Sequence, residues 1–134
     1  MAVDDFFGPL GNVLKRDEMV TEVEVPRING PMRQTFLKFT LRKPVDFAIA
    51  SVASVITLKE GVCEDARLAL GAVAPKPIRA KKAEEIIRGR PIDQETAVEG
   101  AERALGAARP LRMNPYKVEI AKALVKRAVL GESL

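Results

Sequence analysis

The chain has 134 residues, of which 47% are hydrophobic and 30% charged, with 22 Lys and Arg against 18 Asp and Glu for a formal net charge of +4. That length predicts one domain able to hide about two-thirds of its unfolded surface. It holds no His, no Trp and only Cys63, which excludes a histidine general base, a histidine-ligated metal, an internal disulfide and a thiolate cage.

Residues 4–12 combine turn residues with the adjacent pair Phe6 and Phe7, which favour burial. So apolar a start predicts either further polypeptide upstream or a partner surface. Residues 19–25 alternate Met19, Thr21, Val23 and Val25 against Val20, Glu22 and Glu24, the pattern of a half-solvated strand ended by Pro26. Residues 27–31 then form a turn. Residues 34–41 alternate again, with Thr35, Leu37, Phe39 and Leu41 on one side and Phe36, Lys38 and Thr40 on the other, until Pro44 and Asp46 break the pattern. Residues 49–58, rich in Val, Ile and Thr, predict a central strand. A hairpin turn at Lys59-Glu60-Gly61 brings residues 63–74 back antiparallel beside it.

Along that returning strand Leu68, Leu70 and Ala72 share one face, and Arg67, Ala69, Gly71 and Val73 the other. Pro75 and Pro77 stop it. A first helix is predicted over residues 79–88, with Glu84 and Arg88 as a surface pair and Gly89 at the left-handed C-terminal position. Asp93 caps a second helix, in which Ala97, Val98, Ala101, Ala104, Leu105 and Ala108 trace an apolar stripe. Gly100 and Gly106 each weaken that helix by ~1 kcal/mol relative to Ala, so its order depends on packing. Asn114-Pro115 opens a third helix, with Val118, Ala121, Leu124, Val125 and Ala128 inward and an end near Gly131. The expected fold is α+β: a small antiparallel sheet of three to four strands followed by three helices packed on one face.

Motifs for chemistry are scarce. The glycines form neither a dinucleotide fingerprint nor a phosphate loop. Ser51 and Ser54 lack any histidine partner, Cys63 reads as a half-buried strand residue, and Glu22, Glu24, Glu84 and Glu85 read as solvated surface. No catalytic constellation is present, so the chain is not expected to be an enzyme by itself. Lys38, Arg42, Lys43 and Asp46 cluster at a strand end. They make either an exposed end with Arg42 and Asp46 paired, or a cationic site for a phosphate or a reduced flavin. Lys76, Arg79, Lys81 and Lys82 open the first helix against its dipole, which hints at an acidic partner, although a solvated face is the simpler account. Interleaved acids and scant aromatic surface argue against nucleic acid. No apolar run reaches the ~20 residues of a membrane helix, the acidic start lacks a signal's basic region, and a lone cysteine fits a reducing cytoplasm.

Several separated segments resemble one family. Ala66-Arg-Leu-Ala-Leu-Gly-Ala-Val-Ala-Pro-Lys-Pro-Ile-Arg-Ala80 with Ala83-Glu84, Phe6-Phe-Gly-Pro9, Glu18 with Glu24-Val-Pro26, Lys38-Phe-Thr-Leu-Arg42 running to Asp46-Phe-Ala48, Val52-Ala53 and Lys126-Arg-Ala128 keep the order and spacing of the C-terminal domain of molybdenum-hydroxylase flavoproteins. These are the FAD-binding medium subunits of the xanthine dehydrogenase and aerobic carbon monoxide dehydrogenase type. The chain departs from them in a shortened segment at residues 111–117 and in lacking their flavin-phosphate loops and middle flavin domain.

The resemblance implies a carbon monoxide dehydrogenase flavoprotein C-terminal-domain-like fold, with residues 1–30 as linker and first strand and 31–134 as the domain. It implies a scaffold or lid in an FAD-dependent oxidoreductase that moves electrons from iron–sulfur centres through FAD to an acceptor. FAD is expected only together with the absent flavin-binding domain, and no cofactor for the chain alone. The implied partners are that domain and the molybdopterin and iron–sulfur subunits. The implied flavin contacts are Lys38 and Val20, a cation there favouring the anionic reduced ring. Two alternatives stand beside this: a free-standing interaction or dimerisation module forming a homo-oligomer without flavin, and a weak nucleic-acid binder through the two basic groups.

Overall fold

The structure, a computed structural model, describes residues 1–27, 30–42 and 45–134. The centre of the expected turn at 27–31, Pro44 as strand breaker and Lys43 of the basic cluster lie outside the described residues. A single helical turn, α1 (Val3–Phe6), leads into a two-residue ladder between β1 (Phe7–Gly8) and β2 (Gly11–Asn12), where a loop was expected. The Phe6 and Phe7 rings meet edge to face at 4.9 Å, and Phe7 stays exposed.

Four antiparallel strands follow in sequence order: β3 (Met32–Phe39), β4 (Ala50–Lys59), β5 (Val62–Gly71) and β6 (Ile78–Arg79). Alternation places Leu37, Ala50, Val52, Ile56, Ala66, Leu68 and Leu70 in the core. Glu60 and Gly61 both adopt positive φ, 52° and 81°, as the two-residue hairpin between β4 and β5 requires. Residues 19–25 form no strand: they belong to no ladder among the described residues, and Met19, Val20, Val23 and Val25 are all exposed. Leu41 likewise lies beyond β3 and faces solvent.

Three longer helices complete the chain: α2 (Lys81–Ile87), α3 (Gln94–Leu105) and α4 (Tyr116–Leu130). α2 lies on β5, α4 lies on β3 and β4, and α3 packs against α2 and α4. Asp93 caps α3 by accepting the Thr96 N–H at 2.8 Å. The α3 seam consists of Thr96, Ala97, Gly100, Ala101 and Leu105, so Val98 and Ala108 fall outside the stripe expected for them. A Cβ at Gly100 would sit 2.9 Å from Cδ1 and 3.1 Å from Cγ1 of the buried Ile87. Close approach of α2 and α3 thus outweighs the helix-propensity cost of that glycine. Residues of α4 pack as their periodicity predicts, and Gly131 ends the helix in the left-handed region at φ 78°.

Glu84 overturns its surface assignment. It is 5% exposed, and its Oε1 accepts the Leu68 N–H at 2.8 Å while both carboxylate oxygens take the Arg79 guanidinium at 2.8 Å. The expected Glu84–Arg88 pair is absent; Arg88 instead donates to Asp65 at 2.8 Å. Cys63 is fully buried rather than half-buried, and that burial, followed by the nearby Asp65 charge, pushes its thiol pKa up. Such a thiol is no nucleophile.

Glu84→Ala is expected to cost about 2–4 kcal/mol by chemical denaturation. It orphans the Leu68 amide and breaks a pair whose arginine still reaches solvent; a loss near zero would contradict that role. Gly100→Leu is expected to cost roughly 1–3 kcal/mol by driving a side chain into Ile87, readable as a lower urea midpoint. The Arg88 hydrogen bond, with help from Arg67, holds the Asp65 carboxyl below its ordinary value. The stabilisation that comes with a lowered folded value is fully present above the unfolded value of ~3.9 and is lost as pH falls on through the folded value. Asp65→Asn should therefore shallow the decline of the urea midpoint below about pH 4, and an unchanged acid limb would sink the assignment.

Candidate functional site

Because α2 and α4 cover one face of the sheet, the opposite face is left open. Paired residues of antiparallel strands project to the same side, so the register defines rows across that face. Lys38 pairs with Ser51 and Ser51 with Gly71; Phe36 pairs with Ala53 and Ala53 with Ala69; Gln34 pairs with Val55 and Val55 with Arg67. The middle of the face is therefore floored by Ser51, Ala53, Ala69 and Gly71, all small. Phe36, 67% exposed, and Lys38 stand at one margin, and Arg67 at another.

Lys38 is exposed near the end of β3 and has no hydrogen bond or ion pair among the described residues. Beyond it Arg42 and Asp46 pair locally at 3.1 Å, as the bland reading of the cluster expected. Asp46 is held below its ordinary pKa first by the Arg42 side chain and, in smaller part, by backbone amides and the Lys38 charge. One cation of the cluster is thus neutralised, and Lys38 remains available on the open face. Val20 lies in the unpaired stretch before β3, exposed and in no ladder that would fix it beside Lys38.

Two residues that matter for the shape of this face received no functional weight in the sequence. A Cβ on Gly71 would overlap the Ser51 hydroxyl oxygen, so that oxygen occupies the space a side chain at 71 would fill. A glycine inside a strand was the available signal, because it marks a close approach. Away from this face, an apolar groove of about 270 Å³ opens between β5, the end of α3 and the start of α4, lined by Leu70, Val73, Ile78, Leu105 and Val118. Lys117 at its rim is already engaged, donating to the Ala72 carbonyl at 2.8 Å.

Comparison with known proteins places the architecture. Residues 35–131 match the family described as the CO dehydrogenase flavoprotein C-terminal domain. The glyceraldehyde dehydrogenase medium chain of Sulfolobus acidocaldarius is 33% identical over 131 residues, covering 95% of this chain and 46% of that protein. The nicotinate dehydrogenase FAD-subunit of Eubacterium barkeri is 31% identical over 101 residues, covering 72% of this chain and 34% of its own length. Among solved structures, carbon monoxide dehydrogenase from Hydrogenophaga pseudoflava superposes with a TM-score of 0.83 at 28% identity, over 94% of this chain and 45% of that one. The chain spans less than half the length of the curated relatives it matches. With an α+β fold of four antiparallel strands and helices on one face, it belongs to the CO dehydrogenase flavoprotein C-terminal domain family of molybdenum-hydroxylase flavoproteins.

Proposed function

We propose that the chain is the lid and scaffold of an FAD-binding subunit of a molybdenum hydroxylase, its open sheet face covering a flavin ring held by another polypeptide segment. One observation carries this reading: the uncovered face joins a floor of small residues to a cation, Lys38, that makes no ion pair with any described residue. The lack of a side chain at Gly71 leaves that space to the Ser51 hydroxyl and keeps the centre of the face low, which suits the approach of a planar group. Exposed Phe36 at the margin adds apolar surface that a partner would cover. The likeness to the nicotinate dehydrogenase FAD-subunit supports the same cofactor.

The bound flavin would supply two-electron chemistry, accepting electrons from iron–sulfur centres and passing them to an acceptor. The chain's contribution is electrostatic and steric. The Lys38 ammonium would stabilise negative charge on the reduced ring, raising its potential, and the sheet would exclude water from its flank. Val20, in the same role, would approach from the unpaired stretch before β3. The remaining partners in this reading are the flavin-binding domain itself and the molybdopterin and iron–sulfur subunits. In this reading the subunit works in the cytoplasm; no helix among the described residues is long and apolar enough to cross a membrane.

In a subunit assembled from this chain and an FAD-loaded flavin-binding domain, Lys38→Ala is expected to weaken FAD binding about tenfold or more, as loss of a charged hydrogen bond does. It should also lower the flavin potential. Unchanged affinity and unchanged potential together would remove Lys38 from the site.

A further inference from the structure

The row that contains Lys38 holds more than a lysine. Lys38, Ser51 and Gly71 are consecutive partners on β3, β4 and β5, and all three project to the open face. Ser51 is half-buried, and its hydroxyl makes no hydrogen bond among the described residues. Its neighbour in the strand alternation, Ser54, faces the core and donates to the Ala128 carbonyl at 3.3 Å. The two serines of β4 thus differ: one is satisfied inside the fold, and the other keeps its hydroxyl for something outside. Gly71 decides where that hydroxyl points, because any side chain there would displace the Ser51 oxygen from the position it holds.

We infer that Ser51 is a second polar contact of the site and Gly71 its positioning residue, so that Lys38, Ser51 and Gly71 together form a notch for the polar edge of a planar ring. The chemistry that fits is an edge alternating carbonyl oxygens with an N–H, as on the pyrimidine side of a flavin. An ammonium can only donate, whereas a hydroxyl both donates and accepts. Lysine alone would hold an anionic edge without regard to its pattern. Lysine beside a serine reads a carbonyl next to an N–H, which fixes the ring's orientation as well as its charge. The small side chains of Ala53 and Ala69 in the next row leave room for the body of the ring. This assignment rests on the proposed flavin-facing role and adds to it the residues that set orientation.

The test uses the FAD-loaded subunit assembled with this chain, its FAD dissociation constant read from flavin fluorescence and its potential from a redox titration. Each variant of the chain is first shown to unfold at the wild-type temperature when alone. Ser51→Ala and Gly71→Ala are each expected to weaken FAD binding several-fold, and Ser51→Thr, which keeps a hydroxyl, less than Ser51→Ala. The double variant Ser51→Ala, Gly71→Ala should match Ser51→Ala alone, because a residue acting only through another adds nothing once that other is gone. Additive losses would overturn the positioning role of Gly71. Should Gly71→Ala unfold, Ser51→Ala with Ser51→Thr decides the matter by itself. Weakening by Lys38→Ala with Ser51→Ala neutral would overturn the notch and leave the lid intact. If neither substitution changes affinity or potential, both fall together.

Discussion

One carboxylate closes the sheet. β5 would present a bare edge beyond β6, and unpaired backbone at an edge invites pairing with other chains. The Ala80 N–H donates to the Leu68 carbonyl, and the Glu84 side chain takes the Leu68 N–H. Past α2, Gly89 donates to the Cys63 carbonyl and Cys63 to the Arg90 carbonyl. A side chain thus stands where a strand would, and both ends of the helix are tied to the strand it lies on. Burying a carboxylate is costly unless charge and hydrogen bonds compensate, and here one arginine and one amide do so. Ile87, held down at the end of that helix, then meets Gly100 and sets the separation of α2 and α3.

This closure makes the domain one-sided. With the three longer helices stacked over one face, the apolar core lies between sheet and helices, and none of those helices covers the other face. An antiparallel sheet commonly turns polar side chains to water on such a face. Here the middle of the face carries Ser51, Ala53, Val55, Ala69 and Gly71 beside an exposed Phe36, while its charged residues, Lys38, Arg67 and Asp65, stand toward the margins. Small residues flatten a surface, and an uncharged centre lowers the cost of taking it out of water. A face built this way suits a cover that is itself flat.

Much of the fold was legible because its signals are local. The alternation in β3, β4 and β5, the Glu60-Gly61 turn, the Asp93 cap and the left-handed Gly89 and Gly131 each depend on residues close in sequence. Glu84 was not legible in this way. Binary patterning sends a charge on a helix to solvent, and only the return of β6 beside β5 shows that an amide and an arginine await it. Residues 19–25 fail for the opposite reason: the period of a strand is present, but a strand also needs a neighbour, and periodicity supplies none. Lys38 stood out by its charge and by family motif. Ser51 did not, because a serine without a histidine was weighed only as a nucleophile, never as a hydrogen-bonding surface group.

The open face is addressed from the far end of the hairpin. From Ser51 to Thr57 each β4 residue pairs with the β5 residue that brings their numbers to a constant sum, but at Leu58 the register shifts by one and Glu64 is left without a partner. That bulge sits next to the turn formed by Glu60 and Gly61. Were the turn to propagate its register unbroken, Ser51 would stand opposite Leu70, a core residue, and every outward side chain of β5 would change faces. The extra residue restores parity, returning Leu70 to the core and bringing Gly71 beside Ser51. Packing on one side of the sheet and the shape of the other are therefore set by the same bulge. Selection for a tight core and selection for a shallow outer surface cannot act on β5 independently.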